Sequence, residues 1–502
     1  MSIYQTILEN LNEEGRLPPN YELPHPPIKE GQIKYEVGAS DGAAAFHGFK
    51  KSQKFVSRLL KAFKAGDMEK IPAIIKDTKV INFIDSLTDA LYDEFEHLDA
   101  DILYSYAMSL AFESEEEELV KLGIALLGIF EYDGDDDTLQ KLITLGLYEE
   151  FTLYVVVAAD VWDFGNQVIF HLAKNTDGWG KIHAVRNLEP NTQEIRLWCL
   201  TSGCKNTVMD SVLAWDCANK GKLQKALKQD ELSPELFEGI STIILGLFEE
   251  DPLTGISALP NAGKALLRYL HHAQKHASTV KDLYRIAKIQ HLLPEKNLKD
   301  TDQIIAKCKE ISSWEIWKDK ILEALKGEDD SFLFYAAYAA RCLNLDISQA
   351  LFEAVYSDPL RHSFAIIDTF DTSEHARKMT ELLEEILPLK EMASGPAAWS
   401  FPQEFINEHL VNEDAVLCLK DYPLLGKELI KAALLSPVVS ERNIACITLQ
   451  SWSESLLQSV QEFAPDLYEV LLALSKAEPN ERTKAEVMNL LRLQDEPQSV
   501  LN

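Results

Sequence analysis

The sequence predicts an all-α fold, an α-α superhelix of stacked helix pairs behind an irregular N-terminal arm. Three observations predict it. Apolar residues recur at helical spacing from Phe46 almost to the end of the chain. Glycines and prolines, among them Gly134, Gly165, Gly178, Pro252, Pro294 and Pro437, interrupt that pattern at short intervals. Hardly a convincing strand follows residue 45. Helices of roughly 10–15 residues joined by short turns favour stacking into a solenoid over closure into a bundle.

Each element follows from local chemistry. Residues 1–45 are expected to form a helix and an extended arm, 46–495 the solenoid and 496–502 a tail. In the arm, Leu17-Pro18-Pro19, Pro24 and Pro26-Pro27 preclude regular helix. Ile33–Val37 alternates and predicts one short strand. The first long helix spans Phe46–Lys64. Phe49, Phe55, Val56, Leu59, Leu60 and Phe63 share one side of it, and Lys50, Lys51, Lys54, Arg58 and Lys61 the other. Later helices are predicted near 77–96, 100–113, 116–131, 136–147, 149–161, 164–174, 178–188 and 206–219. The closing set lies near 402–409, 412–419, 425–435, 440–451, 453–473 and 480–492. Ser233-Pro234-Glu235 has the cap and first-turn proline of a helix start.

Composition narrows the function classes. The chain has 502 residues, 46% of them hydrophobic, with 49 Lys plus Arg against 80 Asp plus Glu, a formal charge of −31. That surface repels the phosphates of nucleic acid and anionic membranes, and it suits a basic partner. The seven cysteines are odd in number and lack CxxC spacing, as expected of buried free thiols in a reducing compartment. Met1–Leu11 lacks the features of a secretory signal, and no window is apolar enough to span a membrane, so a cytoplasmic location is expected.

Two segments share a pattern. Lys181-Ile-His-Ala184-Val-Arg-Asn-Leu188 and Arg442-Asn-Ile-Ala445-Cys-Ile-Thr-Leu449 each carry a cation, then Ala, then Leu at positions one, four and eight. Ala336, Ala339 and Leu343 keep the small–small–large version. Alanine at a crossing lets a neighbouring helix approach, leucine fills the space beyond, and the cation bridges to the preceding turn. On these residues the chain resembles HEAT and armadillo proteins. Asp177–Leu188 through Trp198, and Ser436–Trp452, resemble a group of large bacterial HEAT-like proteins. Some of that group carry a monoterpene-hydroxylase label. Hydroxylation needs a redox centre, and this sequence offers neither a haem-thiolate loop nor a dinucleotide fingerprint; no cofactor is expected.

The remaining motifs read mostly as structure. Asp133-Gly-Asp135-Asp136 matches the D-x-D-D pattern of proton-initiated terpene cyclases, but it falls between helices, where Asp136 or Asp137 suits an N-cap. As a calcium loop the same run fails at Thr138 and Thr144. His271, His272 and His276 read as a surface cluster, and Glu113–Glu118 as a solvated helix start. Asp41 is expected to cap the first long helix, with His47 forming a polar pair beside the arm. Trp179 and His183 are candidates to line the concave face. Lys50, Lys54, Arg58 and Lys61 form a basic face for an acidic partner or a phosphate-bearing ligand. The expected function is a non-enzymatic protein-interaction scaffold with a protein partner. The alternative is an enzyme with a site in the groove between arm and solenoid, with terpene-like or nucleotide-related chemistry.

Overall fold

A computed structural model describes residues 1–24, 35–47, 53–131, 134–327, 329–402 and 404–492. Helices dominate, and among the described residues the sole β pairing is an isolated bridge between Trp399 and Val438. No helix among them is long and apolar enough to cross a membrane. The chain divides into two compact units: residues 1–276 with 292–307, and residues 277–291 with 308–502.

In the first unit, Ala100–Glu113 pairs with Glu117–Leu127, Asp136–Gly146 with Glu149–Ala159, and Gly165–Asn175 with Gly178–Asn187. The second members of consecutive pairs lie side by side with their starts aligned, so Lys121 reaches Glu150 and the Trp179 N–H donates to Glu149. Small residues permit close packing: Gly123 sits against Ala107 and Ala111 within the first of these pairs, and Ala184 and Leu188 are fully buried.

The second unit repeats the arrangement in Ile406–Cys418, Lys427–Leu434, Val439–Leu456, Pro465–Ala477 and Glu481–Arg492. His409 lies beside Glu441, Thr448 donates to the Val416 carbonyl at 2.7 Å, and Trp452 Nε1 to that of Leu419 at 2.7 Å. Both helices advance together, so they run in the same direction. Ala445 and Leu449 of the repeat pattern are buried.

Most predicted helices are present, and the departures have causes. The two helices expected at 402–409 and 412–419 are one, Ile406–Cys418, because no glycine or proline separates them. The break expected near 452 falls at Leu457, in the left-handed region, and the short helix Val460–Phe463 precedes a new one that starts at Pro465. The helix expected from 77 starts at Ile84, and that expected from 206 at Ser211. Tyr35–Val37, the described part of the expected strand, forms none. The predicted helix 46–64 is described as Ala39–His47 and Gln53–Ala65, on which Val56, Leu59 and Phe63 are buried while Arg58 and Lys61 face solvent. All seven cysteines are free thiols, five of them buried.

Candidate functional site

The most elaborate polar arrangement of the first unit lies beneath Ala39–His47. The helix start Gly38-Ala-Ser-Asp41-Gly42 places two glycines four residues apart on one face. Gly38 has φ +73° and donates its N–H to Glu150 Oε2 at 2.7 Å. A Cβ on Gly42 would run into the Trp179 ring. The helix therefore sits directly on Trp179, and Asp41 is carried inward.

Asp41 Oδ2 accepts from Lys121 Nζ at 2.8 Å and from the Tyr154 hydroxyl at 2.8 Å, and Lys79 Nζ lies 3.9 Å from its other oxygen. Lys121, 1% exposed, also donates to Glu118 at 2.9 Å and Glu150 at 2.5 Å. Glu118 accepts from the Val80 N–H at 2.6 Å. Burial alone would depress the Lys121 ammonium, but the carboxylates of Glu150, Asp41 and Glu118 outweigh it and hold its pKa above the ordinary lysine value. A lysine locked as an ammonium is neither nucleophile nor base. What it does is bind three elements together: Ala39–His47, Glu117–Leu127 and Glu149–Ala159.

Glu149 accepts from the Trp179 N–H at 3.0 Å, and burial pushes its pKa up to about 7 against the opposing pull of backbone N–H groups. His183 is buried, its ring 6.3 Å from that of Trp179, and burial lowers its pKa to about 4, so the imidazole is neutral near pH 7.

The structure thus brings together Asp41, Trp179 and His183. Asp41 is not a cap: it is the third residue of its helix, with its carboxylate on Lys121. Arg58 and Lys61 stand exposed on Gln53–Ala65. Lys50 lies outside the described residues, and only the backbone of His47 and Lys54 is described. Sequence reasoning missed Lys79, Glu118, Lys121, Glu150 and Tyr154. The available signal was a lone lysine inside the apolar run Leu119-Val120-Lys121-Leu122.

Other expectations change as well. Glu118 belongs to the acidic run read as solvated, yet it turns onto Lys121. Asp133 lies outside the described residues. Asp135, rather than Asp136 or Asp137, caps Asp136–Gly146, accepting from the Asp137 N–H and the Thr138 hydroxyl. Asp135 and Asp136 are exposed, and the Thr138 hydroxyl holds the Asp135 carboxyl below its ordinary value, the opposite of what a proton-donating acid needs. His272 is buried with Nε2 3.3 Å from the Leu227 carbonyl, and His276 stacks on Phe237, so of the three histidines read as a surface cluster His271 alone is exposed.

The arm does border a groove. A cavity of about 380 Å³ lies between Arg16–Tyr21 and a wall including Tyr148, Glu149, Lys174 and Lys181. Arg16 donates to Asn175 at 2.8 Å, and the Leu23 N–H to the Tyr148 hydroxyl at 3.3 Å.

The second unit offers a different surface. Trp399, Phe401, Phe405, Ile406 and Leu410 are all exposed within one short stretch. Behind it, His409 Nδ1 lies 2.7 Å from Glu441 Oε1, both buried. Arg442 is fully buried, forked on Glu478 by two bonds of 2.7 Å, and donates to the carbonyls of Ser436 and Ala397.

No family model matches the chain, and no curated protein or solved structure matches it.

Proposed function

We propose that this chain is a non-enzymatic scaffold, a HEAT-like solenoid whose stacked helix pairs display side chains to a protein partner. The observation that supports it is the aligned, same-direction stacking of alternate helices within each unit, Lys121 beside Glu150 and Val416 beside Thr448. Such stacking turns one side of each pair into a strip of a larger face. The polar groups that a catalytic reading would recruit are engaged in structure: Asp41 on Lys121, Asp135 on a helix start, His272 on a carbonyl.

Affinity capture with the intact chain from its native cytosol tests the reading, with the doubly altered Ile406→Ser, Leu410→Ser chain in parallel. A stoichiometric partner held by the native chain and lost from the variant is expected. Recovery of no partner in any condition would contradict it. The enzymatic alternative is favoured by the cavity beside Arg16–Tyr21, which Lys174 and Lys181 line together with Glu149 and Asp177. Nucleotide-dependent protection of residues 16–21 from hydrogen exchange would move the assignment there.

A further inference from the structure

We propose that the outer side of Ile406–Cys418 docks a basic, amphipathic helical segment of a partner protein. The inference rests on the scaffold reading and gives its partner a chemistry.

The helix has two unlike sides. His409, Val411, Asn412, Ala415 and Val416 are buried, and they face Val439–Leu456 among their neighbours. On the opposite side, Ile406 is 55% and Leu410 46% exposed, and Leu417 continues the same line half-buried. Spacings of four and seven residues put these three on one stripe. Trp399, 40% exposed, and Phe405 precede the helix in the chain. Single exposed apolar residues are ordinary, but a run of them on one element marks an interaction surface.

Charge selects the occupant. Residues 391–419 contain Glu391, Glu404, Glu408, Glu413 and Asp414, and no lysine or arginine. The sole base of residues 432–475 is Arg442, which is buried on Glu478. The exposed charges that these two stretches offer are therefore carboxylates. Asp414 lies beside the stripe between Leu410 and Leu417, where burial raises its carboxyl pKa, while Glu413 accepts from the Ser440 hydroxyl of Val439–Leu456 at 2.9 Å and so turns toward that helix. An uncharged apolar partner would take the Asp414 carboxylate further from water without compensation, and an acidic one would be repelled. A helix with apolar residues at i and i+4 flanked by Lys or Arg satisfies both the stripe and the carboxylates.

The test uses the full chain and three synthetic helical peptides that share one apolar pattern, with Lys/Arg, Gln or Glu at the remaining positions. Binding is followed by fluorescence anisotropy at low and physiological salt. The Lys/Arg peptide alone is expected to bind. Ile406→Ser and Leu410→Ser should each weaken it about tenfold, as losing a contact near the centre of an interface does. Glu404→Gln combined with Asp414→Asn should weaken it less and flatten its salt dependence. Asp101→Asn, an exposed acid of the first unit, should change nothing.

Equal binding of the Gln peptide overturns the proposal, as does native-like binding to Leu410→Ser, or equal weakening by Asp101→Asn, which would mean diffuse attraction to an acidic chain. Both apolar sites are exposed, so the variants should keep the native melting temperature. Should either unfold, hydrogen exchange on the native chain decides: peptide-induced protection of 404–418 supports docking, and its absence overturns it. A cellular partner whose capture survives Leu410→Ser overturns the docking while leaving the scaffold reading intact.

Discussion

Lys121 in the first unit and Arg442 in the second are both cations removed from water, yet they solve that problem differently. Lys121 is a point charge shared by three carboxylates from three helices, one of them the helix that carries Asp41. Arg442 spreads its planar donors over one carboxylate and two carbonyls, joining the turn at Ser436, the segment at Ala397 and Glu478 before the last described helix. The lysine gathers separate elements around one atom, whereas the arginine spans consecutive layers with fixed geometry. Lys181, which holds the same pattern position as Arg442, is a third case. It donates to the carbonyls of Ser202 and Lys205, and so bridges forward along the chain.

Substitutions can break this comparison, and the largest effect is expected at Arg442. Arg442→Ala leaves Glu478 buried and unpaired, which should cost about 3–5 kcal/mol. Hydrogen exchange should locate the loss at 436–442 and 478–483, and Arg442→Lys should recover only part of it, because an ammonium cannot fork. Lys121→Met keeps the volume but strands Asp41, Glu118 and Glu150, and should cost about 3 kcal/mol. Its loss of protection should include 38–47 and spare 439–456. Equal recovery by either cation at both positions would erase the distinction.

Smaller effects sharpen it. Gly42→Ala forces the helix off Trp179 and should cost about 1–3 kcal/mol, as overpacking does, with a shift in tryptophan fluorescence. Glu149 supplies a pH test. Its folded pKa of about 7 lies above the ordinary glutamate value, so the folded chain binds the extra proton. Its contribution is complete below the unfolded value of about 4.3 and is lost as pH rises through about 7. Urea midpoints measured across that window should fall with pH, and Glu149→Gln should flatten the decline. Lys61→Gln, on an exposed face, should stay within about 0.5 kcal/mol of the native chain.

The helices were legible in the sequence because apolar period and breakers are local properties. Arg442 was legible too, as the leading cation of a repeated pattern. Lys121 was not. Within Leu119–Leu127 it reads as the solvated side of an amphipathic helix, and only the approach of Asp41, some 80 residues earlier, turns it inward. Asp41 itself was assigned the wrong local role, since an aspartate near a helix start reads as a cap until the partner across the fold is known. The Ile406–Leu410 stripe was hidden by a boundary error: divided at 409, the helix shows no continuous face.

Photo-crosslinking within the native cell tests most directly the claim that the Ile406–Leu410 stripe docks a basic partner, with a photoreactive residue at position 410 and, in parallel, at 101. One discrete adduct from 410, joined to a segment rich in lysine and arginine and absent from 101, is the predicted result. No adduct from 410, or the same products from both positions, would contradict it.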